Sequence, residues 1–142
     1  MKQQLNCILL IDDDEPTNFL NKMVIEEAGI ARHILVEQSA EDALDYLQGK
    51  MPPDPGVDCP IPDLIFLDIN MPAMDGWEFL DRYKQLPADQ QAAIIVVMLT
   101  TSFNPEDEVK ARSIGLISEF RNKPLNPRML LDIIREHFPE RF

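Results

Sequence analysis

Basic residues are scarce in this chain: 13 Lys and Arg stand against 25 Asp and Glu, a formal net charge of −12 with a pI near 4.4. A field of that sign repels nucleic-acid phosphates and anionic lipid, because binding either draws on a Lys/Arg patch. The sequence therefore predicts no direct DNA binding and no membrane attachment. Cysteine is nearly missing as well: Cys7 and Cys59 do not make a disulfide framework. Cys7 starts the first strand and Cys59 lies in the loop leading to the third; if those strands are neighbours a bridge is geometrically open, but a reducing compartment favours free thiols. The two histidines, His33 and His137, stand apart from each other and from cysteine pairs, which leaves a zinc site without support. No apolar run approaches the roughly 18 residues of a membrane span, and residues 1–6 are too short and polar for a signal peptide. A cytoplasmic protein is the expectation.

What is present fits one compact unit. The 142 residues are 45% hydrophobic and 27% charged, enough for a two-sided core, and the expectation is a single domain over 1–142 with no output domain. Short runs rich in Val, Ile and Leu (Cys7–Ile11, Ile34–Glu37, Leu64–Leu67, Ile94–Leu99, Ser118–Arg121) alternate with helical stretches, the pattern of an α/β parallel sheet covered on both faces. The unbroken apolar character of the first, third and fourth runs marks central strands. Helix punctuation agrees. Pro16, Pro105 and Pro127 suit first turns, each preceded by Asp or Asn able to cap free amides, and Gly29, Gly49 and Gly115 suit helix ends. Residues 49–62 carry five prolines without a period and read as an extended surface loop at the amino end of the third strand.

Acidic and polar signatures stand where the strands run out: Asp12-Asp13-Asp14, Asp68-Ile69-Asn70-Met71-Pro72, Leu99-Thr100-Thr101 and, near the chain end, Asn122-Lys123-Pro124. Strand carboxyl ends line one edge of such a sheet, where ligands bind, so Asp12, Asp13, Asp68, Thr100 and Lys123 are expected in one pocket. Mg²⁺ prefers oxygen ligands, often one or two carboxylates with waters and a phosphate oxygen. Asp12, Asp13 and Asp68 can supply the carboxylates and a backbone carbonyl near Asn70 a further ligand. Asp68 is then the nucleophile for an aspartyl-phosphate, with Lys123 and Thr100 placed to meet other phosphoryl oxygens.

Together, Ile11-Asp12-Asp13, Asp68-Ile69-Asn70-Met71-Pro72 with Met74-Asp75-Gly76, Leu99-Thr100-Thr101 and Lys123-Pro124 resemble the response-regulator receiver domains of two-component signalling. The resemblance runs over essentially the whole chain. It implies a flavodoxin-like (βα)5 doubly wound fold with strand order 2-1-3-4-5. It also implies Mg²⁺ on Asp12 and Asp13 and phosphorylation of Asp68 by the phosphohistidine of a sensor histidine kinase or phosphotransfer protein. No separate substrate is turned over, only the protein's own aspartyl-phosphate. The family's switch aromatic falls on Phe120, which lacks the hydroxyl of tyrosine. Asn70 and Ser102 occupy the positions that tune phosphoryl lifetime, and the Lys123–Pro124 bond is expected to be cis. The 49–62 loop and the Leu99–Ser102 run look most like the stand-alone regulators that serve phytochrome-type kinases.

Two further surfaces follow. The signalling face is expected on the fourth helix, fifth strand and last helix, with Val109, Ala111 and Ile114 on the fourth helix and Leu130, Ile133, Ile134 and Phe138 as the core stripe of the last. Met129 and Leu131 fall off that stripe, and a homodimer through this face is a second expectation. On the first helix Thr17, Asn18, Asn21 and Lys22 are expected to be exposed beside the pocket as the kinase docking surface. Other classes fit less well. A phosphorylation-independent interaction module has no need of the acids, Thr100 and Lys123. A flavodoxin-type flavin site would be repelled by Asp12-Asp13-Asp14-Glu15, and a dehalogenase-type phosphatase usually carries an acid where Asn70 stands.

Overall fold

The computed structural model describes residues 4–48, 61–69, 71, 73–88, 91, 94–99, 106, 109, 119–122 and 125–140; of residues 94–99, 119, 120 and 122 it describes the backbone alone. Five strands, β1 (Leu5–Ile11), β2 (Ala31–Glu37), β3 (Leu64–Asp68), β4 (Ile94–Leu99) and β5 (Glu119–Asn122), form one sheet in the order β2-β1-β3-β4-β5. Every pairing is parallel. Among them are α1 (Glu15–Ala28), α2 (Ala40–Leu47) and α3 (Gly76–Tyr83), and the last helix, α4, covers Pro127–His137. The parallel α/β sheet expected from the alternation, and the flavodoxin-like strand order implied by the resemblance, are thus present. Among the described residues no helix is long and apolar enough to cross a membrane.

The two-residue period of a strand sends successive side chains to opposite faces, and the core divides accordingly. Leu9, Ile11, Ile65 and Leu67 pack with Ala43, Leu44 and Leu47 of α2 and Trp77, Phe79, Leu80 and Tyr83 of α3. Their neighbours Ile8, Leu10, Leu64 and Phe66 pack with Ile25 of α1 and Leu130, Ile133 and Ile134 of α4. β1 and β3 are buried nearly throughout, as central strands of a two-faced sheet must be, whereas the edge strand β2 is only half-buried.

Local chemistry sets the helix ends. Asp14 accepts from the Thr17 amide and Asn126 from the Met129 amide, so each cap satisfies one otherwise free N–H. Pro16 and Pro127 stand in the first turns, and α1 stops at Gly29, whose φ of 65° is left-handed. Pro105, Gly49, Gly115 and residues 49–60 of the proline-rich loop lie outside the described residues.

Three expectations are corrected. Cys7 is disulfide-bonded rather than a free thiol; the second cysteine, Cys59, lies outside the described residues. At the same edge the Asp63 carboxylate accepts from the Asn6 and Cys7 amides at 2.7 and 3.4 Å, while the Asp63 amide donates to the Cys7 carbonyl at 2.9 Å. Asn18 and Asn21 are buried, not exposed. Met129 packs against the core, because the α4 stripe is wider than Leu130, Ile133 and Ile134 alone. Val109, expected on the signalling face, is 70% exposed; Ala111 and Ile114 lie outside the described residues.

Candidate functional site

Strand register brings the acids together. Ile11 pairs with Leu67, so the next residues along the two strands, Asp12 and Asp68, emerge side by side at the carboxyl edge. One carboxylate oxygen from each of Asp12, Asp13 and Asp68 lies within 4.8 Å of the others. Asp12 and Asp68 are 5% and 3% exposed, while Asp13 faces solvent. Two like charges 4.8 Å apart repel by about 3–4 kcal/mol at an effective dielectric near 20, and a divalent cation reverses the sign of that term. An oxygen-only donor set of this kind suits a hard cation such as Mg²⁺.

Asp12 is held at three points. Its amide donates to the Glu37 carbonyl at 3.2 Å, its Oδ1 accepts from the Asp14 amide at 2.9 Å, and its carbonyl accepts from Asn18 Nδ2 at 2.7 Å. Asp14 in turn caps α1 through Oδ2, which accepts from both the amide and the hydroxyl of Thr17. The turn from β1 into α1 is therefore fixed by its own side chains.

The loop after Asp68 is anchored differently. Ile69, Met71 and Met74 are buried in the α3-side core, the Gly76 amide donates to the Ile69 carbonyl at 2.8 Å, and Asp75 caps α3 by accepting from the Glu78 amide at 2.9 Å. Ala73 takes a left-handed φ of 66°, a conformation that costs a residue with a Cβ. Gly76 is required where it stands. A Cβ there would lie 2.7 Å from Ile69 Cδ1 and 2.9 Å from the Asp68 carbonyl oxygen.

Of the residues singled out from sequence, Asp12, Asp13 and Asp68 converge. Asn70, Thr100, Ser102, Lys123 and Pro124 lie outside the described residues. Leu99 and Asn122, which immediately precede Thr100 and Lys123, are register partners on β4 and β5. Phe120 is on β5, paired with Val97.

Sequence reasoning missed α1. It buries Asn18, Asn21 and Ile25 and exposes Phe19 at 65%, Leu20 at 58% and Met23 at 41%, the reverse of an ordinary amphipathic helix. Leu20, Met23, Val24 and Leu125 line a groove of about 290 Å³ on this face. The signal was available: the apolar residues of α1 recur at positions 19, 20 and 23, out of phase with Ile25.

Comparison with known proteins agrees with this geometry. The chain matches the response regulator receiver domain over residues 8–135. The transcriptional regulatory protein CpxR of Escherichia coli K12 is 32% identical over 131 residues, covering 92% of this chain and 48% of CpxR, so the chain spans about half the length of that relative. A two-component response regulator from Cytophaga hutchinsonii superposes with a TM-score of 0.77 at 27% identity, covering 96% of this chain and 99% of the other. The bacteriophytochrome response regulator RtBRR shares the fold, with a TM-score of 0.76 at 24% identity over 95% of this chain and 79% of that one. With the acid edge formed and the match running nearly end to end, this chain belongs to the response regulator receiver domain family.

Proposed function

We propose that Asp68 accepts a phosphoryl group from a phosphohistidine on a partner histidine kinase or phosphotransfer protein. The observation that carries this reading is the meeting of three carboxylates within 4.8 Å, two of them buried, at the edge where α/β sheets bind ligands. An Asp68 oxygen forms the new O–P bond as the N–P bond of the phosphohistidine breaks, and the released imidazole takes up a proton. Asp12, Asp13 and Asp68, with a carbonyl at Asn70, would hold Mg²⁺, which supplies charge neutralisation at the phosphoryl oxygens. Thr100 and Lys123 take the remaining oxygens and Phe120 answers the change, roles carried by the resemblance and supported by the Leu99–Asn122 register.

Incubation with a small acyl phosphate and Mg²⁺, followed by intact mass, tests the reading. The wild type should gain about 80 Da, one phosphoryl group, and Asp68→Asn should not. An adduct that persists in Asp68→Asn, or none in the wild type, removes it.

The outward apolar face of α1, beside the acids, is the docking surface for that donor. It replaces the polar set expected from sequence, of which Thr17 and Lys22 remain accessible. A phytochrome-type kinase as the donor is supported by the likeness in fold to RtBRR. A homodimer through β5 and α4 is supported by Leu131, which is half-buried on α4. The domain extent of 1–142 and a cytoplasmic location belong to the same reading.

A further inference from the structure

Asn18 stands out among the buried polar residues because nothing in the receiver chemistry assigned above uses it. It sits at the end of the first turn of α1, is 3% exposed, and donates from Nδ2 to the main-chain carbonyl of Asp12 at 2.7 Å. Its Oδ1 is buried without a hydrogen-bond partner among the described residues. An unsatisfied buried acceptor is costly, and leucine would fill a core-facing helix position at no such cost. The residue also lines a cavity of about 10 Å³ together with Asp12, Asn21 and Asp68. That space touches both buried carboxylates of the site and has room for about one water molecule.

We propose that Asn18 is a positioning residue for the cation site, a reading that rests on the magnesium-dependent function proposed above. Its amide fixes the Asp12 carbonyl, and with it the turn that aims the Asp12 carboxylate. Other anchors of Asp12, the Glu37 carbonyl and the Asp14 amide, come from β2 and from the turn itself. Asn18 ties the Asp12 carbonyl to the first turn of α1. Without that tie the turn is held less firmly, and the oxygen offered to the metal moves relative to Asp13 and Asp68. The unpaired Oδ1 belongs to a side chain that borders the small cavity beside Asp12 and Asp68, in the second layer of the site, where such partners orient ligands already in the first.

The test measures Mg²⁺ binding by calorimetry, with magnesium alone, for the wild type, Asn18→Leu and Asn18→His. Leucine keeps the volume and removes the donor; histidine can restore an N–H at similar reach through Nδ1. Asn18→Leu should unfold at the wild-type urea midpoint without metal yet bind Mg²⁺ about 10- to 100-fold more weakly, and Asn18→His should recover most of that loss. Phosphoryl uptake from an acyl phosphate should fall in Asn18→Leu at low magnesium and return at saturating magnesium. Unchanged Mg²⁺ affinity in Asn18→Leu overturns the proposal, as does equal weakening in leucine and histidine variants, which would mark simple disruption. Should Asn18→Leu fail to fold, Asn18→Ala, which cannot overfill the site, carries the same comparison. A wild type that binds no Mg²⁺ and takes no phosphoryl group overturns the parent function instead, so the two failures are distinguishable.

Discussion

Replacing Gly76 by alanine should damage both the stability and the chemistry of this molecule, although helix propensity alone argues the opposite. Position 76 opens α3, and alanine is favoured over glycine within a helix by about 1 kcal/mol. The added methyl, however, would sit 2.7 Å from Ile69 Cδ1, 2.8 Å from Ile69 Cα and 2.9 Å from the Asp68 carbonyl oxygen. Ile69 Cδ1 can swing aside; the other two atoms are main chain. Carbon atoms pack at about 3.5–4.0 Å, so relief requires a main-chain shift of about 0.5–1 Å. Overpacking of this sort costs about 1–3 kcal/mol, and with an unfolding entropy near 2.1 cal/mol/K per residue the melting temperature should fall by about 3–10 °C. The shift falls on Asp68, the proposed acceptor. A misplacement near 1 Å can slow a positioned reaction about 10²-fold, so uptake from an acyl phosphate, followed by intact mass over time, should be slower by one to two decades. A Gly76→Ala protein that melts within about one degree of the wild type and phosphorylates at the wild-type rate would refute the claim that this glycine is held open by the Asp68–Ile69 backbone.

Two further outcomes can be checked. Tyr46 is 4% exposed with a hydroxyl that has no partner among the described residues, and burial, followed by the Glu37 charge, pushes its pKa from 10.0 up to about 12. The folded state therefore keeps a proton that the unfolded chain loses, so this contribution is whole below pH 10 and drains away between pH 10 and 12, about 2–3 kcal/mol in all. Tyr46→Phe should match or exceed the wild type in urea at about pH 8 and overtake it clearly at about pH 11; parallel pH profiles would contradict this. Leu20→Glu, at a side chain 58% exposed, should leave stability and acyl-phosphate uptake unchanged while transfer from the cognate kinase drops at least about tenfold, as for a central contact of an interface. Lys22→Glu, which removes the exposed 4.0 Å ion pair with Glu26, should weaken transfer less; unaffected transfer in both variants would exclude α1 as the docking face.

Much of this was legible from residue order. The strands β1 and β3 announce themselves as unbroken apolar runs, because strands buried on both faces have no solvent side to mark, and the acids are conspicuous because they follow those runs directly. The caps at Asp14 and Asn126 were equally plain, each paired with a proline in the next turn. α1 was not legible by the usual rule. Polar residues are assigned outward, yet Asn18 is drawn inward by the Asp12 carbonyl, which leaves Phe19 and Leu20 in solvent. The Cys7 bridge was hidden for another reason: redox compartment is a prior about surroundings, whereas the bond depends on which residue a strand start meets. β2 begins at Ala31 rather than Ile34, because Arg32 and His33 are tolerated on an edge strand whose outer side is open to water.

The chain contains one tryptophan, and Trp77 lies in the same apolar layer as Ile69, Met71 and Met74, side chains of the segment that leaves Asp68, the proposed acceptor. The protein thus carries its own optical probe at the place where a chemical event has to be felt first. Indole emission, with no label attached, should register any rearrangement of that segment in real time.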